Sequence, residues 1–336
     1  MIRERNKSEL ITYIKFNEAY FPRPWGNYNL PNIFNKPVPP NEKIGEIWLI
    51  SDRNEFQSKV IKGRFIGKTI HELVTTYPQY LFGNRKGEGY PSRFPLLLKI
   101  INANEILSVQ VHPSDQKAKE LNEHDCGKTE MWYIMEAKPN SFIYLGLRKN
   151  VKKEHLLKEI QHGGDVDRLL RKIYVKQGDH YLIPAGTIHA IGPGIILAEI
   201  QQNSNLTYRL YDWNRLDLEG KPRELHLEKA FYSIETCQTS IAVPKIDLKH
   251  SFGREKFLCS TPYFSAKYWE IKSETKIWNN NYSFHIIFSL DTTKLSVETE
   301  EKETLQMERG ECVLIPSVSS DRVTIDYGTF LDYYVP

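Results

Sequence analysis

Two short phrases carry side chains of the kind that ligate metal ions. In ILSVQVHP, which starts at Ile106, Gln110 and His112 stand two residues apart, and on a strand that spacing sends both side chains to one face. Glu130 lies in GKTEMWYIM, where an apolar and aromatic strand begins, so its carboxylate can point back toward that face. His189 follows the turn Pro184-Ala185-Gly186, whose stiffness fixes how the chain re-enters the sheet. Two imidazoles, one carboxylate and one amide oxygen form a mixed donor set suited to zinc or another first-row divalent ion, one per chain. A calcium-like site would demand more oxygens. An ion held this way polarises the oxygens of a bound substrate.

Such a site needs strands to hold it. GEIWLIS from Gly45, FPLLLKII from Phe94 and ILSVQVHP are short β-type runs bounded by polar or turn residues, and strands resume from Lys176 to about Tyr211. Apolar residues at helical spacing predict helices over about 69–80 and 152–173, the second split at Gly163 and Gly164 with Asp165 capping its renewal. A shorter helix is expected from Ser114 through DQKAKELNE. Residues 20–40, rich in proline, asparagine and aromatics, read as an extended wrapping segment.

The polar stretch YSIETCQTSIAVPKIDLKH marks a boundary near 235–250, which divides the chain into a metal-binding domain over 1–240 and a β-rich domain over 241–336. GDHYLIPAG from Gly178 is echoed by GECVLIPSV from Gly310, so the two domains read as related β units. The position matching His189 in the second copy is Asp321, with no partner ligands around it. The C-terminal unit is therefore expected to bind no metal.

Composition narrows the class. Lys and Arg total 45 against 42 Asp and Glu, a near balance that argues against nucleic acid as a partner, so any anion site must be local. No run approaches a membrane span, and the charged opening residues do not read as a signal peptide, so the expected address is the cytoplasm, with no membrane partner. Cys126, Cys237, Cys259 and Cys312 are scattered without a CxxC pair and read as reduced thiols. Oligomeric state is not encoded legibly.

The phrase G-(x)5-P-x-G-x-x-H, spelled from Gly178 to His189, resembles the second half-motif of the cupin superfamily, whose fold is a jelly-roll barrel. A standard cupin has His-x-His with a nearby Glu. Here Gln110 takes the first place and Glu130 lies far on, a departure similar to the type I phosphomannose isomerases. The resemblance includes RPWG (23–26), GEIWLISDR (45–53), PLLLKIINANEILSVQVHPSD (95–115), GKTEMWYI (127–134), IPAGTIHAIGPG (183–194) and EIQQNSNLTYRLYDWNR (199–215). Together these cover most of 20–230 and resemble the short bacterial form. The expected fold is mainly β, a cupin jelly roll with helical insertions and a second, degenerate barrel.

The resemblance implies interconversion of mannose 6-phosphate and fructose 6-phosphate through an enediol, with the sugar phosphate as the partner. It also implies a metal held by Gln110, His112, Glu130 and His189, and a catalytic Arg209, whose permanent charge suits an anionic intermediate or a phosphate. Glu199 is the candidate general base or proton shuttle, against a purely structural carboxylate. Ser108 and Lys128, each two residues from a ligand, and Lys99 are candidate substrate-binding groups, with Trp25 and Tyr133 as walls or core. Another metal cupin enzyme, such as a dioxygenase, and a non-catalytic sugar-binding cupin are the rival readings. The Gln110–Glu130 interval speaks against the first, and the presence of Lys128, Glu199 and Arg209 against the second.

Overall fold

A computed structural model describes residues 13–28, 34, 36–84, 89–235, 246–278, 282–298 and 303–336. β-Branched and aromatic runs form antiparallel strands throughout, as their side chains pack well on a pleated surface. The chain divides into two compact units, each discontinuous: Ala19–Trp48 with Leu96–Ala242, and Met1–Glu18 with Leu49–Pro95 and Val243–Pro336. The boundary expected at 240/241 lies outside the described residues. The interleaving of segments within each unit escapes a sequence reading because it is set by long-range pairing.

The first unit contains β1 (Ala19–Asn27), β2 (Ile44–Ile50), β3 (Leu96–Ala103), β4 (Val109–Val111), β5 (Glu130–Ala137), β6 (Phe142–Leu147), β7 (Leu170–Tyr174), β8 (His180–Ile183), β9 (His189–Ile191), β10 (Ile195–Gln202) and β11 (Tyr208–Tyr211). One sheet has the order β1-β2-β3-β10-β5-β8 and a second the order β11-β4-β9-β6-β7. These are the two layers of the expected jelly roll. Trp132, Ile134, Ile195 and Leu197 of the first sheet share a buried core with Ile143 and Ile191 of the second. The opposite face of the second sheet, with Val109, Val111, Tyr208 and Leu210, packs with Leu156 and Ala230 of two helices, Lys153–Gln161 and Leu227–Ser233.

Three expectations change. The segment 20–40 is not irregular throughout, because Ala19–Asn27 pairs with β2 in a bulged register that accommodates Pro22 at the sheet edge. The helix over 69–80 forms at Ile70–Thr76 with Thr69 and Glu72 in a capping box, but breaks before Pro78 and restarts at Pro78–Phe82. The helix expected over 152–173 ends at Gln161. VDRLLRKI is instead a 3-10 turn at Asp167–Leu169 leading into β7, where Ile173 faces Ile143 of β6. Pairing with a sheet edge outweighs helical spacing there. The short helix capped by Ser114 is present at Asp115–Glu120.

The second unit carries β12 (Asp247–His250), β13 (Gly253–Ser260), β14 (Ser265–Ile271), β15 (His285–Ser289), β16 (Thr293–Val297), β17 (Glu303–Met307), β18 (Cys312–Ile315) and β19 (Val323–Tyr334). They run in the order β12-β13-β14-β19-β15-β18, with β16 pairing β17 and β19. Gly178 and Gly310, which open the two echoed phrases, both take positive φ, at 88° and 82°, and each turns into a short strand, β8 or β18. Among the described residues no helix is long and apolar enough to cross a membrane. Cys126, Cys259 and Cys312 form no disulfide among the described residues, and Cys237 lies outside them.

Leu197 is fully buried in the core shared by the two sheets of the first unit. Leu197→Ala is expected to cost about 2–5 kcal/mol, since neighbours on two sheets relax only partly into the space left. A urea unfolding midpoint within error of the wild type would contradict this assignment.

Candidate metal centre

Strand register assembles the centre. On the second sheet Gln110 of β4 lies directly opposite His189 of β9 on one side and Arg209 of β11 on the other, so the three share a face. His112 follows immediately after β4, and its carbonyl accepts a hydrogen bond of 2.7 Å from the Gly186 amide, tying the Pro-x-Gly turn to this strand. Gly186 has φ +85°, and a Cβ there would meet the Glu235 side chain at 2.4 Å, so glycine is required twice over. Glu130 comes from the first sheet, at the start of β5.

His112, Glu130 and His189 are buried and present one donor atom each within 4.8 Å of one another. His112 Nδ1 hydrogen-bonds the Leu206 carbonyl at 2.7 Å and His189 Nδ1 the Thr187 carbonyl at 2.9 Å. Each Nδ1 therefore carries the proton, and both Nε2 lone pairs turn inward as metal ligands do. They lie 3.4 Å from Glu130 Oε2 and Oε1 respectively. Glu130 Oε1 is buried without a hydrogen-bond partner among the described residues. An unmatched carboxylate oxygen beside two imidazole lone pairs fits a divalent cation. The Gln110 amide nitrogen is 3.1 Å from His189 Nε2, and a half-turn of that amide would offer its oxygen instead.

Lys128 competes for the same atoms. Its ammonium donates to Glu130 Oε2 at 2.6 Å and to His112 Nε2 at 3.0 Å, so full ligation by both requires it to turn away. Burial would raise the Glu130 carboxyl, but Lys128 and the two histidines outweigh it and hold it well below its usual range. Burial, then Lys128, pushes His112 down to about 3, and burial lowers His189 as well. Both imidazoles are neutral at pH 7. Ser108 donates to the Gln110 amide oxygen at 3.3 Å and so belongs to the cluster.

A second polar group lies on the first sheet. Glu199 of β10 is directly opposite Lys99 of β3 and Trp132 of β5, and accepts 3.0 Å from the Trp132 indole while Lys99 stands 3.6 Å away. Burial and the Glu130 charge raise its carboxyl. Arg209 makes no hydrogen bond or ion pair to the ligand cluster among the described residues. It donates to the Glu224 carbonyl at 2.7 Å, with its Nε buried and unpartnered. Burial and Arg223 lower it to about 10, which leaves it charged. Trp25 packs in the core, with the Arg223 and Arg215 guanidiniums 4.9 and 5.8 Å from its ring. Tyr133 alternates to the opposite face of β5 from Trp132 and is not a wall.

Sequence reasoning missed Arg215, Arg223 and Asp212, in which one carboxylate accepts from both guanidiniums at 2.6 Å, and it missed Glu46 and Trp48. The signal for the latter pair was their spacing of two within GEIWLIS. Nothing in the local pattern flags Arg223.

These shifts fix how the metal-free protein responds to acid. Each histidine is depressed below its unfolded value of about 6.5, so the unfolded chain binds more protons as pH falls below that value and stability drops. Glu199, being raised, works in the opposite sense, one group against two. The expected result is a loss on the order of 1 kcal/mol per pH unit between pH 6.5 and 5, read by calorimetry on chelated protein. An unchanged melting temperature over that window would mean that the imidazoles are not held neutral.

Residues 14–143 match the family model for the phosphomannose isomerase type I catalytic domain. The chain is 38% identical over 269 residues to the mannose-6-phosphate isomerase ManA of Bacillus subtilis, covering 78% of this chain and 80% of that protein. It is 40% identical over 255 residues to the mannose-6-phosphate isomerase of Streptococcus mutans, covering 75% and 77%. The crystal structure of the mannose 6-phosphate isomerase from Bacillus subtilis superposes with a TM-score of 0.86 at 33% identity, over 96% of this chain and 99% of that one. Relatives of that identity and coverage, together with the Gln110, His112, Glu130 and His189 constellation, make this chain a member of the type I phosphomannose isomerase family.

Proposed function

We propose that the chain interconverts mannose 6-phosphate and fructose 6-phosphate as a metal-dependent aldose–ketose isomerase, through an enediol, in the cytoplasm. The observation that carries it is the buried triad of His112, Glu130 and His189, with two inward lone pairs and an unmatched carboxylate oxygen. Gln110, His112, Glu130 and His189 would hold one divalent ion, for which zinc suits the mixed nitrogen and oxygen donors. When bound, the ion supplies Lewis acidity toward the sugar oxygens.

The remaining work falls to the chain's own groups. Moving the carbonyl from C1 to C2 takes a proton from one carbon and returns it to its neighbour. Glu199 is the proposed carrier, since a carboxyl raised by burial holds a proton more readily than a surface carboxylate. The Trp132 indole fixes one of its oxygens and leaves the other toward Lys99. Arg209, on the same face as Gln110 and His189, supplies a permanent cation for the charge that develops on the enediolate. Lys128, Ser108 and Lys99 bind substrate hydroxyls near the ion. The arginines at 209, 215 and 223, gathered around the single carboxylate of Asp212 and the face of Trp25, offer the excess positive charge that a phosphate needs.

Purified protein with its metal measured is expected to convert mannose 6-phosphate under nitrogen, to carry one ion per chain, and to lose turnover on chelation and regain it with zinc or another divalent ion. Undiminished turnover by verified metal-free protein, or an absolute need for oxygen, would overturn the reading. Arg209→Ala is expected to keep the metal and lower kcat about 100- to 1,000-fold, with Arg209→Lys recovering part. An effect confined to KM would make Arg209 a uniform-binding group instead.

A further inference from the structure

Lys99 is an anomaly among the buried charges. It is 4% exposed and carries three donor hydrogens, yet among the described residues it makes no hydrogen bond, only ion pairs of 3.6 Å to Glu46 Oε2 and 3.6 Å to Glu199 Oε1. Both carboxylates are already engaged elsewhere. Glu46 accepts from Arg23 Nε at 2.7 Å and from the Trp48 indole at 2.8 Å, and Glu199 accepts from Trp132. Trp48 also presents its ring 5.0 Å from the Lys99 ammonium. The ammonium is thus suspended between two anions, with its donors left over for a third group.

Glu46 is what holds it there. Glu46 stands on β2 beside β3, and against burial, Lys99 and then Arg23 keep its carboxyl down at about 2, a permanent anion at any working pH. Without Glu46, Lys99 would have Glu199 alone and would close onto it. That would tie up the carboxylate the reaction needs and withdraw the ammonium from substrate. We infer that Glu46 and Arg23 are positioning residues for the isomerisation, acting through Lys99 by holding its ammonium off Glu199 with its donors free for the sugar. This rests on the isomerase reading above.

A double-mutant cycle tests it. Glu46→Gln keeps the shape and an acceptor for Trp48 but removes the charge, and is expected to lower kcat/KM about 10- to 100-fold, as loss of groups that orient a site commonly does. In a Lys99→Met background the same substitution is expected to have no further effect, because the group it acts through is gone. Arg23→Gln, at a half-exposed position less prone to unfold the chain, is expected to give a smaller loss that also vanishes with Lys99→Met. Bound metal and melting temperature are measured for every variant.

Penalties that multiply across the cycle, or a Lys99→Met enzyme as active as wild type, would overturn the inference while leaving the isomerase reading intact. A wild-type protein that fails to convert mannose 6-phosphate would take both down. Loss of metal in Glu46→Gln in step with its activity would also overturn it, since Glu46 would then serve the ligand cluster and not Lys99.

Discussion

A carboxylate without access to water must be neutralised where it lies, and Glu130 is such a group. Isolated burial of that charge would cost several kcal/mol. The chain answers with Lys128 at 2.6 Å, while the two neutral imidazoles, their outer nitrogens fixed on backbone carbonyls, turn lone pairs toward it. The compensation is incomplete, because Oε1 keeps no donor. A site that left nothing unmatched would be a stable salt bridge with no appetite for an ion. Retaining one bare oxygen between inward lone pairs makes cation binding favourable and links folding to metal content.

The strands far from this point are arranged by the same demand. Across the first sheet, Glu46, Lys99 and Glu199 alternate in sign on neighbouring strands, and the indoles of Trp48 and Trp132 donate to the two carboxylates. Like charges directly opposite would destabilise the pairing, so each strand constrains the next. The second sheet instead brings Arg209, Gln110 and His189 into one row. The first layer therefore carries Glu130, Lys99 and the carboxylates of Glu46 and Glu199, and the second carries Gln110, His189 and a fixed cation.

Much of this was legible in the sequence, and what was legible was periodic or locally stiff. Gln110 and His112 declared their common face by a spacing of two, and the Pro184-Ala185-Gly186 turn announced His189 because only glycine tolerates the φ and the crowding at Gly186. The helix expected over VDRLLRKI failed because apolar residues at 166, 169, 170 and 173 satisfy a helix as well as an edge strand, and only pairing with β6 decides. Of the two readings left open for Tyr133, strand phase favours core, since one residue of phase reverses the face. Arg223 left no local signal because its partner Asp212 is eleven residues away, and the spacing of Glu46 from Trp48 did not reveal its partner Lys99, fifty-three residues on. The discontinuous units were missed for the same reason.

The second unit contains a buried carboxylate that contrasts with Glu130 of the proposed metal site. Asp332 on β19 is buried much as Glu130 is, but its neighbours are one imidazole and an indole. There His285 Nδ1 takes one oxygen at 2.8 Å and the Trp278 indole the other at 2.9 Å. Both oxygens are matched, and the imidazole faces the carboxylate with the nitrogen that a metal-ligating histidine in the first unit turns to a backbone carbonyl. Among the described residues no second imidazole converges, since the echoed turn leads to the 3-10 segment Ser317–Arg322, where Asp321 stands, and not to a strand opening on histidine. The chemistry of the first unit thus depends less on possessing a buried acid than on leaving it one bond short.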